Sequence, residues 1–439
     1  MQRFIKTAVI LAGGKGERLS LISGGVPKPL VKIDGKPIIE RQVELLKEYG
    51  FEDLHILTGY KGEMIEEYFS GAERFGVKIK CWMEKEPLGT AGCLKGLEGV
   101  VKNDFMLLFG DVVLNMDMAT LISYHWQKNA VATLVVHPND HPFDSDLVDI
   151  DEDSRIRQLF LKGNKPDFYT NQANAAVHIL SPAVFKYIPS GKSDLMVDVI
   201  AKMLVDQRPI YGYKTAEYIK DIGAVERFRM VEKDIQSGKV DRLSKKNKRK
   251  AVFIDRDGTL VEDVDLLCKI DDLRLFDFSC DSIKNINASE FLSIIVTNQP
   301  VVARNLCSTS DVERIHRKLE TLLGNEGAYL NDIYFCPHHP DSGYPGENPK
   351  FKITCECRKP ATGMIQKAAE EYNIDLSASW MIGDTTVDMQ MGKNAGLKTA
   401  LVRTGRAGRD EKFDVKPDMI CDNLAVAVDN ILRLEEKKQ

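Results

Sequence analysis

The chain lacks any long apolar run, any repeat at a fixed period and any low-complexity tract. The apolar stretch nearest its start, Thr7–Ala12, is too short to span a bilayer and has no signal-peptide form. A soluble, cytoplasmic protein with no membrane partner is therefore expected. Charge of one sign is also missing: the net of −5 gives no basic field, which argues against nucleic acid as a partner. Anionic ligands must be held by local groups. Nine cysteines are an odd count, and Cys336, Cys355 and Cys357 cluster near histidines, which points to metal in a reducing compartment and not to disulfides. The sequence leaves open a homo-oligomer.

What is present, over 439 residues, is enough chain for two domains with separate cores. Strand-like runs alternate with helical patterns: TAVILA, a helix over 38–49, DLHILTG, a helix ending at 69, VKIKCWM, DFMLLFGD and VATLVVH. A polar patch over 138–157 follows, then helical patterns over 182–187, 193–205 and 225–237. The rhythm resumes with AVFIDRDG, FLSIIVTNQ, DIYFCP, ASWMIGD and TALVRTG, separated by helices over 310–323 and 363–372. This βαβ alternation predicts two α/β domains built on mostly parallel sheets. We place them at 1–237 and 251–439, joined by GKVDRLSKKNKRK, a basic linker with almost nothing to bury.

The first half carries a glycine-rich loop at a strand end. Gly13, Gly14 and Gly16 free the backbone N–H groups to close on phosphates, and Arg18 and Lys28 offer charge to neutralise a triphosphate. With GYKGEMIEEYF, EKEPLGTAG, FGD and YIKDIG following in order, this half resembles the sugar-1-phosphate nucleotidyltransferases, with a Rossmann-like mixed sheet. The resemblance implies attack by a sugar-1-phosphate oxygen on the α-phosphorus of a nucleoside triphosphate, with loss of pyrophosphate. It makes Asp111 and Asp221 the Mg²⁺ ligands, puts Gly89 and Thr90 against base and sugar, and puts Asn174 and Lys162 in the sugar-phosphate pocket. Departures stand at Glu17, where threonine is common, Gly163 for proline, Ala176 for glycine and Met196 for a sugar-binding glutamate. They mark an unusual sugar pocket, or a nucleotide-sugar-binding module without turnover.

In the second half, AVFIDRDGTL delivers Asp255 and Asp257 to the end of a buried strand, and Thr297 with Asn298, Arg358 with Lys359, and Asp384 with Asp388 follow. These blocks resemble the four motifs of the haloacid dehalogenase-like phosphatases. The resemblance makes Asp255 the nucleophile and Asp257 the proton carrier. It assigns Mg²⁺ to Asp255, Asp257 and Asp384, the phosphoryl oxygens to Thr297 and Lys359, and a supporting role to Asp388. Cys336 and His338, then Cys355 and Cys357, supply four donors of the type that closes a structural tetrahedral Zn²⁺ site, with His339 as a neighbour. The site ends one residue before Arg358, so the metal would aim both cations at the phosphate.

The phosphatase half resembles the capless, zinc-containing phosphatases of heptose bisphosphate and histidinol phosphate. It departs in TNQPVVAR, where Ser-Gly is commoner after TNQ, and at Thr385, where lysine is usual. Joined, the two resemblances imply consecutive steps in making a nucleotide-activated heptose. The 7-phosphate of D-glycero-D-manno-heptose 1,7-bisphosphate is removed, and a nucleotidyl group, GMP from GTP, goes to the 1-phosphate. A histidinol-phosphatase relative fused to a transferase for another sugar 1-phosphate is the alternative.

Overall fold

A computed structural model describes residues 4–16, 24–341 and 343–437. Thirteen strands fall in the first half: β1 Thr7–Ala12, β2 Lys32–Ile33, β3 Lys36–Pro37, β4 Asp53–Thr58, β5 Lys78–Met83, β6 Phe105–Phe109, β7 Val112–Asn115, β8 Ala132–His137, β9 Leu147–Ile150, β10 Ile156–Phe160, β11 Ala173–Leu180, β12 Ile210–Lys214 and β13 Tyr218–Asp221. The main sheet runs β10-β9-β11-β6-β1-β4-β5, with β8 pairing both β11 and β12. β1 lies parallel between β4 and β6, and β11 reverses direction against β6. Helices cover both faces, so β1 and β6 are buried along nearly their whole length, which is why they read as unbroken apolar runs. A separate two-stranded sheet pairs β7 with β13.

The second half forms a six-stranded, wholly parallel sheet. Its strands are β14 Lys250–Ile254, β15 Phe291–Asn298, β16 Asp332–Cys336, β17 Trp380–Gly383, β18 Lys398–Val402 and β19 Met419–Cys421, in the order β16-β15-β14-β17-β18-β19. The order steps outward from β14 in both directions, so the carboxyl ends of β14, β15 and β17 adjoin, and ligands gather at such a crossover.

Three readings of the sequence change here. By proximity the chain divides between residues 246 and 247, and Pro138–Ser145 and Lys162–Gln172 group with the second unit. Those two stretches are the loops joining β8 to β9 and β10 to β11. The patch over 138–157 holds strand β9 and the start of β10. The basic run is no free linker: Lys239–Arg242 is helical, and Ser244 and Arg249 are each 2% exposed. Nε and Nη2 of Arg249 donate to the carbonyl of Tyr372 at 2.8 and 2.6 Å, so an arginine counted as solvated instead ties down the strand that opens the second unit.

His178 lies mid-strand in β11, opposite Leu107 and Leu134 and edge-on to Phe109. It is fully buried, and neither ring nitrogen finds a partner among the described residues. Burial pushes its pKa down to about 3, so folding holds the ring neutral. A depressed folded pKa gives stability that is whole above the unfolded value of about 6.5 and is lost as pH falls toward the folded one. At pH 5 the loss is about 2 kcal/mol. We therefore expect His178→Leu to raise the melting temperature more at pH 5 than at pH 8. The difference should be about 4–8 °C for a unit of this size in thermal denaturation, and equal shifts at both pH values would refute the assignment.

Candidate functional sites

In the first unit, a cavity of about 680 Å³ opens at the carboxyl end of β1 and is lined by Gly13, Gly14, Lys28, Gly89, Thr90 and Asp111, among others. Backbone must come close here. A Cβ on Gly13 would lie 2.7 Å from Glu84 Oε1, and one on Gly89, at φ +76°, would lie 2.4 Å from the carbonyl oxygen of Ser193. Arg18 and Glu17 lie outside the described residues. Lys28 donates to Asp111 Oδ2 at 2.5 Å, which places the cation beside the carboxylate at the cavity floor. Asp221 is brought near by the pairing of β13 with β7, which sets Asp221 opposite Val112, and the N–H of Ile222 donates to the carbonyl of Asp111 at 3.0 Å. Its carboxylate is held by Arg227 Nη1 at 2.8 Å.

The other sugar-pocket residues fall differently. The Thr90 hydroxyl donates to Asp194 Oδ2 and accepts from the N–H of Leu195, both at 2.8 Å, so it stitches a loop to the cavity wall. Lys162 is not on the cavity wall and pairs with Asp144. Asn174 Oδ1 accepts from the N–H of Ala176, which takes a left-handed φ of +57°, the conformation that favours glycine at that position. Met196 is buried within the apolar core and offers a sugar nothing polar. Lys15 and Lys192 line the cavity and escaped the sequence reading. Lys15 lies inside the glycine loop and was open to inference, whereas Lys192 reaches the wall only because Ser193 folds onto Leu88 and Ala91.

In the second unit, the carboxylates of Asp255, Asp384 and Asp388 bring ligand oxygens within 4.8 Å of one another, all buried. One ammonium, Lys359, stands among them, 2.8 Å from Asp255 Oδ1 and 2.6 Å from Asp388 Oδ1. Burial, then the Asp388 charge, pushes Asp255 above the carboxylate range; burial, then Asp255 and Asp388, does the same to Asp384. Burial opposes the charge on Lys359, but Asp255 and Asp388 outweigh it and hold the ammonium. Asp384 takes the N–H of Arg406 on Oδ2 at 2.7 Å, while its buried Oδ1 has no partner among the described residues. Three carboxylates against one ammonium, with an orphaned oxygen, suit a hard divalent cation. Asp388 Oδ2 also caps the helix Thr386–Asn394 in a capping box with Thr385. That is the local task of the threonine found where lysine is usual.

Asp257 is turned elsewhere. Arg256 holds both of its carboxylate oxygens, Nε on Oδ1 at 3.1 Å and Nη2 on Oδ2 at 3.0 Å, and Gln299 Nε2 donates to Oδ2 at 2.8 Å. The acid cluster thus takes in Asp388, read from the sequence as a support, while the Asp257 carboxylate, read as the proton carrier, stays outside it. Thr297 Oγ1 accepts from the same Gln299 amide at 2.9 Å, and Asn298 clasps the backbone of Lys359. Cys336, His338, Cys355 and Cys357 also bring their donors within 4.8 Å of one another, with sulfur–sulfur separations of 3.1–3.5 Å. Three thiols and an imidazole fit a tetrahedral zinc ion. Arg358 Nη1 donates to the carbonyl of His338 at 2.9 Å, so the cysteine loop directly holds this cation. His339 faces Asp341 and Tyr344.

Comparison with known proteins matches the two halves of the chain to two families. Residues 7–238 match the nucleotidyl transferase model, and residues 356–427 match a HAD-hydrolase-like model. The chain is 38% identical over 176 residues to the D-glycero-β-D-manno-heptose-1,7-bisphosphate 7-phosphatase of Yersinia pestis, covering 40% of this chain and 91% of that protein. It is 31% identical over 233 residues to the UTP–glucose-1-phosphate uridylyltransferase of Synechocystis, and 32% identical over 224 residues to the mannose-1-phosphate guanylyltransferase of Mycobacterium tuberculosis, each match covering 50% of this chain. It spans 60% and 62% of the length of those two transferases. The chain belongs to the nucleotidyl transferase family over its first half and, over its second, to the haloacid dehalogenase-like phosphatases that include the heptose bisphosphate enzymes.

Proposed function

We propose that the protein catalyses two consecutive steps toward a nucleotide-activated heptose. It removes the 7-phosphate of D-glycero-D-manno-heptose 1,7-bisphosphate, and it transfers a nucleotidyl group, GMP from GTP, to the resulting heptose 1-phosphate. One observation carries this reading: a single chain holds a buried carboxylate cluster around Lys359 and a glycine-walled cavity where Lys28 pairs with Asp111. A phosphatase that spares the anomeric phosphate makes the nucleophile such a cavity consumes. The two transferase relatives act with different nucleotides by name, so the choice of GTP rests on the heptose assignment.

In the phosphatase step, Asp255 Oδ1 is fixed by Lys359 and by the N–H of Arg256, leaving Oδ2 to attack phosphorus. Asp257 gives a proton to the departing sugar oxygen and then takes one from the water that releases phosphate. Asp255, Asp384 and the carbonyl of Asp257 would hold Mg²⁺, which supplies charge neutralisation when bound. Lys359 and Thr297 steady the phosphoryl oxygens. Cys336, His338, Cys355 and Cys357 would hold a structural Zn²⁺ that aims Arg358. In the transferase step, Gly13, Gly14 and Gly16 close backbone on the triphosphate and Lys28 neutralises it, with Arg18 in the same loop. Asp111 and Asp221 would hold Mg²⁺ there.

Pyrophosphate release from heptose 1-phosphate with a panel of nucleoside triphosphates tests the transferase half. Asp111→Asn should lower it at least 100-fold and leave phosphatase turnover intact; loss of both would refute independent sites. In the phosphatase assay the product should keep its anomeric phosphate, and release of that phosphate would end the coupled reading.

Metal dependence adds two checks. Carboxylates raised in the fold bind protons that the unfolded chain has lost, so the metal-free phosphatase unit should lose stability as pH rises from the ordinary carboxylate range toward neutrality. Mg²⁺ replaces those protons. At 100 times its dissociation constant it should stabilise by about 2.7 kcal/mol, with a larger melting-temperature increment at pH 8 than at pH 6. Elemental analysis should give about one zinc per chain, lost in Cys355→Ser together with thermal stability.

A further inference from the structure

Arg256 is the largest of the fully buried side chains, at 0% exposure, and stands between Asp255 and Asp257. Its fork is divided. Nε and Nη2 hold both oxygens of Asp257, and Nη1 lies 3.0 Å from Nε2 of His316, a 6%-exposed residue on the helix Thr309–Asn325. A guanidinium only donates, so this Nε2 accepts and the ring carries its proton on Nδ1. We propose that His316 is a positioning residue of the phosphatase reaction: as a neutral acceptor it anchors the Arg256 fork, which in turn holds Asp257 where it exchanges protons with the leaving oxygen and with water. The inference rests on the phosphatase reading above.

The type of acceptor matters. Burial, then the Arg256 charge, pushes the His316 pKa far below its usual value, so the ring stays uncharged. A carboxylate in its place would compete with Asp257 for the guanidinium. The neutral ring fills the third arm of the fork and leaves the charge to Asp257. Phe335 packs edge-on at 5.3 Å between ring centres and fixes the imidazole plane. Gln299 steadies Asp257 from the other side and reaches Thr297 with the same amide. Without His316, Nη1 would lose a buried acceptor and the fork would turn to seek another, carrying Asp257 with it.

The chemistry supplies a readout that simple loss of structure would not give. In the first half-reaction Asp255 bonds to phosphorus as the ester P–O bond breaks, and the leaving oxygen takes the Asp257 proton. In the second, water bonds to phosphorus, its proton goes to Asp257, and the Asp255–phosphorus bond breaks. A sugar alkoxide needs the first proton transfer, whereas p-nitrophenolate leaves without it. Both esters need the second.

The test compares the full-length wild type with His316→Leu and His316→Gln, each checked for a cooperative melt and zinc content. With heptose bisphosphate, His316→Leu should lose about 30-fold in kcat with KM within about twofold. With p-nitrophenyl phosphate it should show a burst approaching one p-nitrophenolate per chain, followed by slow turnover. His316→Gln, which keeps a neutral acceptor, should recover kcat to within about threefold of wild type. If His316→Leu does not fold, Arg256→Lys, which keeps the charge but loses the fork, should show the same burst. Equal losses on both esters without a burst, unchanged turnover in His316→Leu, or a folded His316→Gln as slow as the leucine variant would each overturn the proposal. A wild type that hydrolyses neither ester would instead refute the phosphatase reading itself.

Discussion

Buried charge without enough counter-charge is the constraint around which the phosphatase unit is built. Asp255, Asp384 and Asp388 share a desolvated pocket with one ammonium, that of Lys359, which bridges Asp255 and Asp388. Such a group is costly to bury unless it is paired and hydrogen-bonded, so the surroundings are dense with donors. Backbone N–H groups of Arg256 and Arg406 reach Asp255 and Asp384, and Asn298 grips the backbone of Lys359. What these donors leave over is a deficit of positive charge, which a divalent cation would answer.

The transferase unit solves a related problem with different means. Its anion is expected to arrive with the substrate, and the cavity wall carries glycines and four lysines alongside Glu84, Glu86 and Asp111. Lys28 and Asp111 neutralise each other across 2.5 Å. Gly89 is required both by space, since a Cβ there would strike the carbonyl of Ser193, and by its φ of +76°.

Much of the fold was legible because both sheets have parallel cores. Strands buried on two faces give apolar runs such as those at 8–12, 105–109 and 251–254, and the chemistry-bearing residues follow at their carboxyl ends. Of the strands that escaped, β2, β3, β7, β9, β10, β13 and β19 are short or partly exposed, while β11 and β12 mix Asn174, His178, Gly212 and Lys214 with their apolar residues, so no period separates them from loop. The basic run failed for the opposite reason. Lysine and arginine counts describe charge, while Arg249 is held through a carbonyl 123 residues away that no local pattern can reveal.

The sequence by itself determined the two α/β units, the order of their motifs and the donor types, because strand periodicity and residue chemistry are local properties. It also put Cys336, His338, Cys355 and Cys357 together, since two close pairs of soft donors have few other uses. Only the tertiary structure decided which carboxylates meet. Asp388, read as a support, joins Asp255 and Asp384, while Asp257 faces Arg256 and Gln299. It also moved Lys162 off the cavity wall, put Lys192 on it, and set His316 behind the acid motif from a helix 60 residues downstream. These depend on side-chain direction and on contacts far apart in the chain, which spacing along a sequence does not encode.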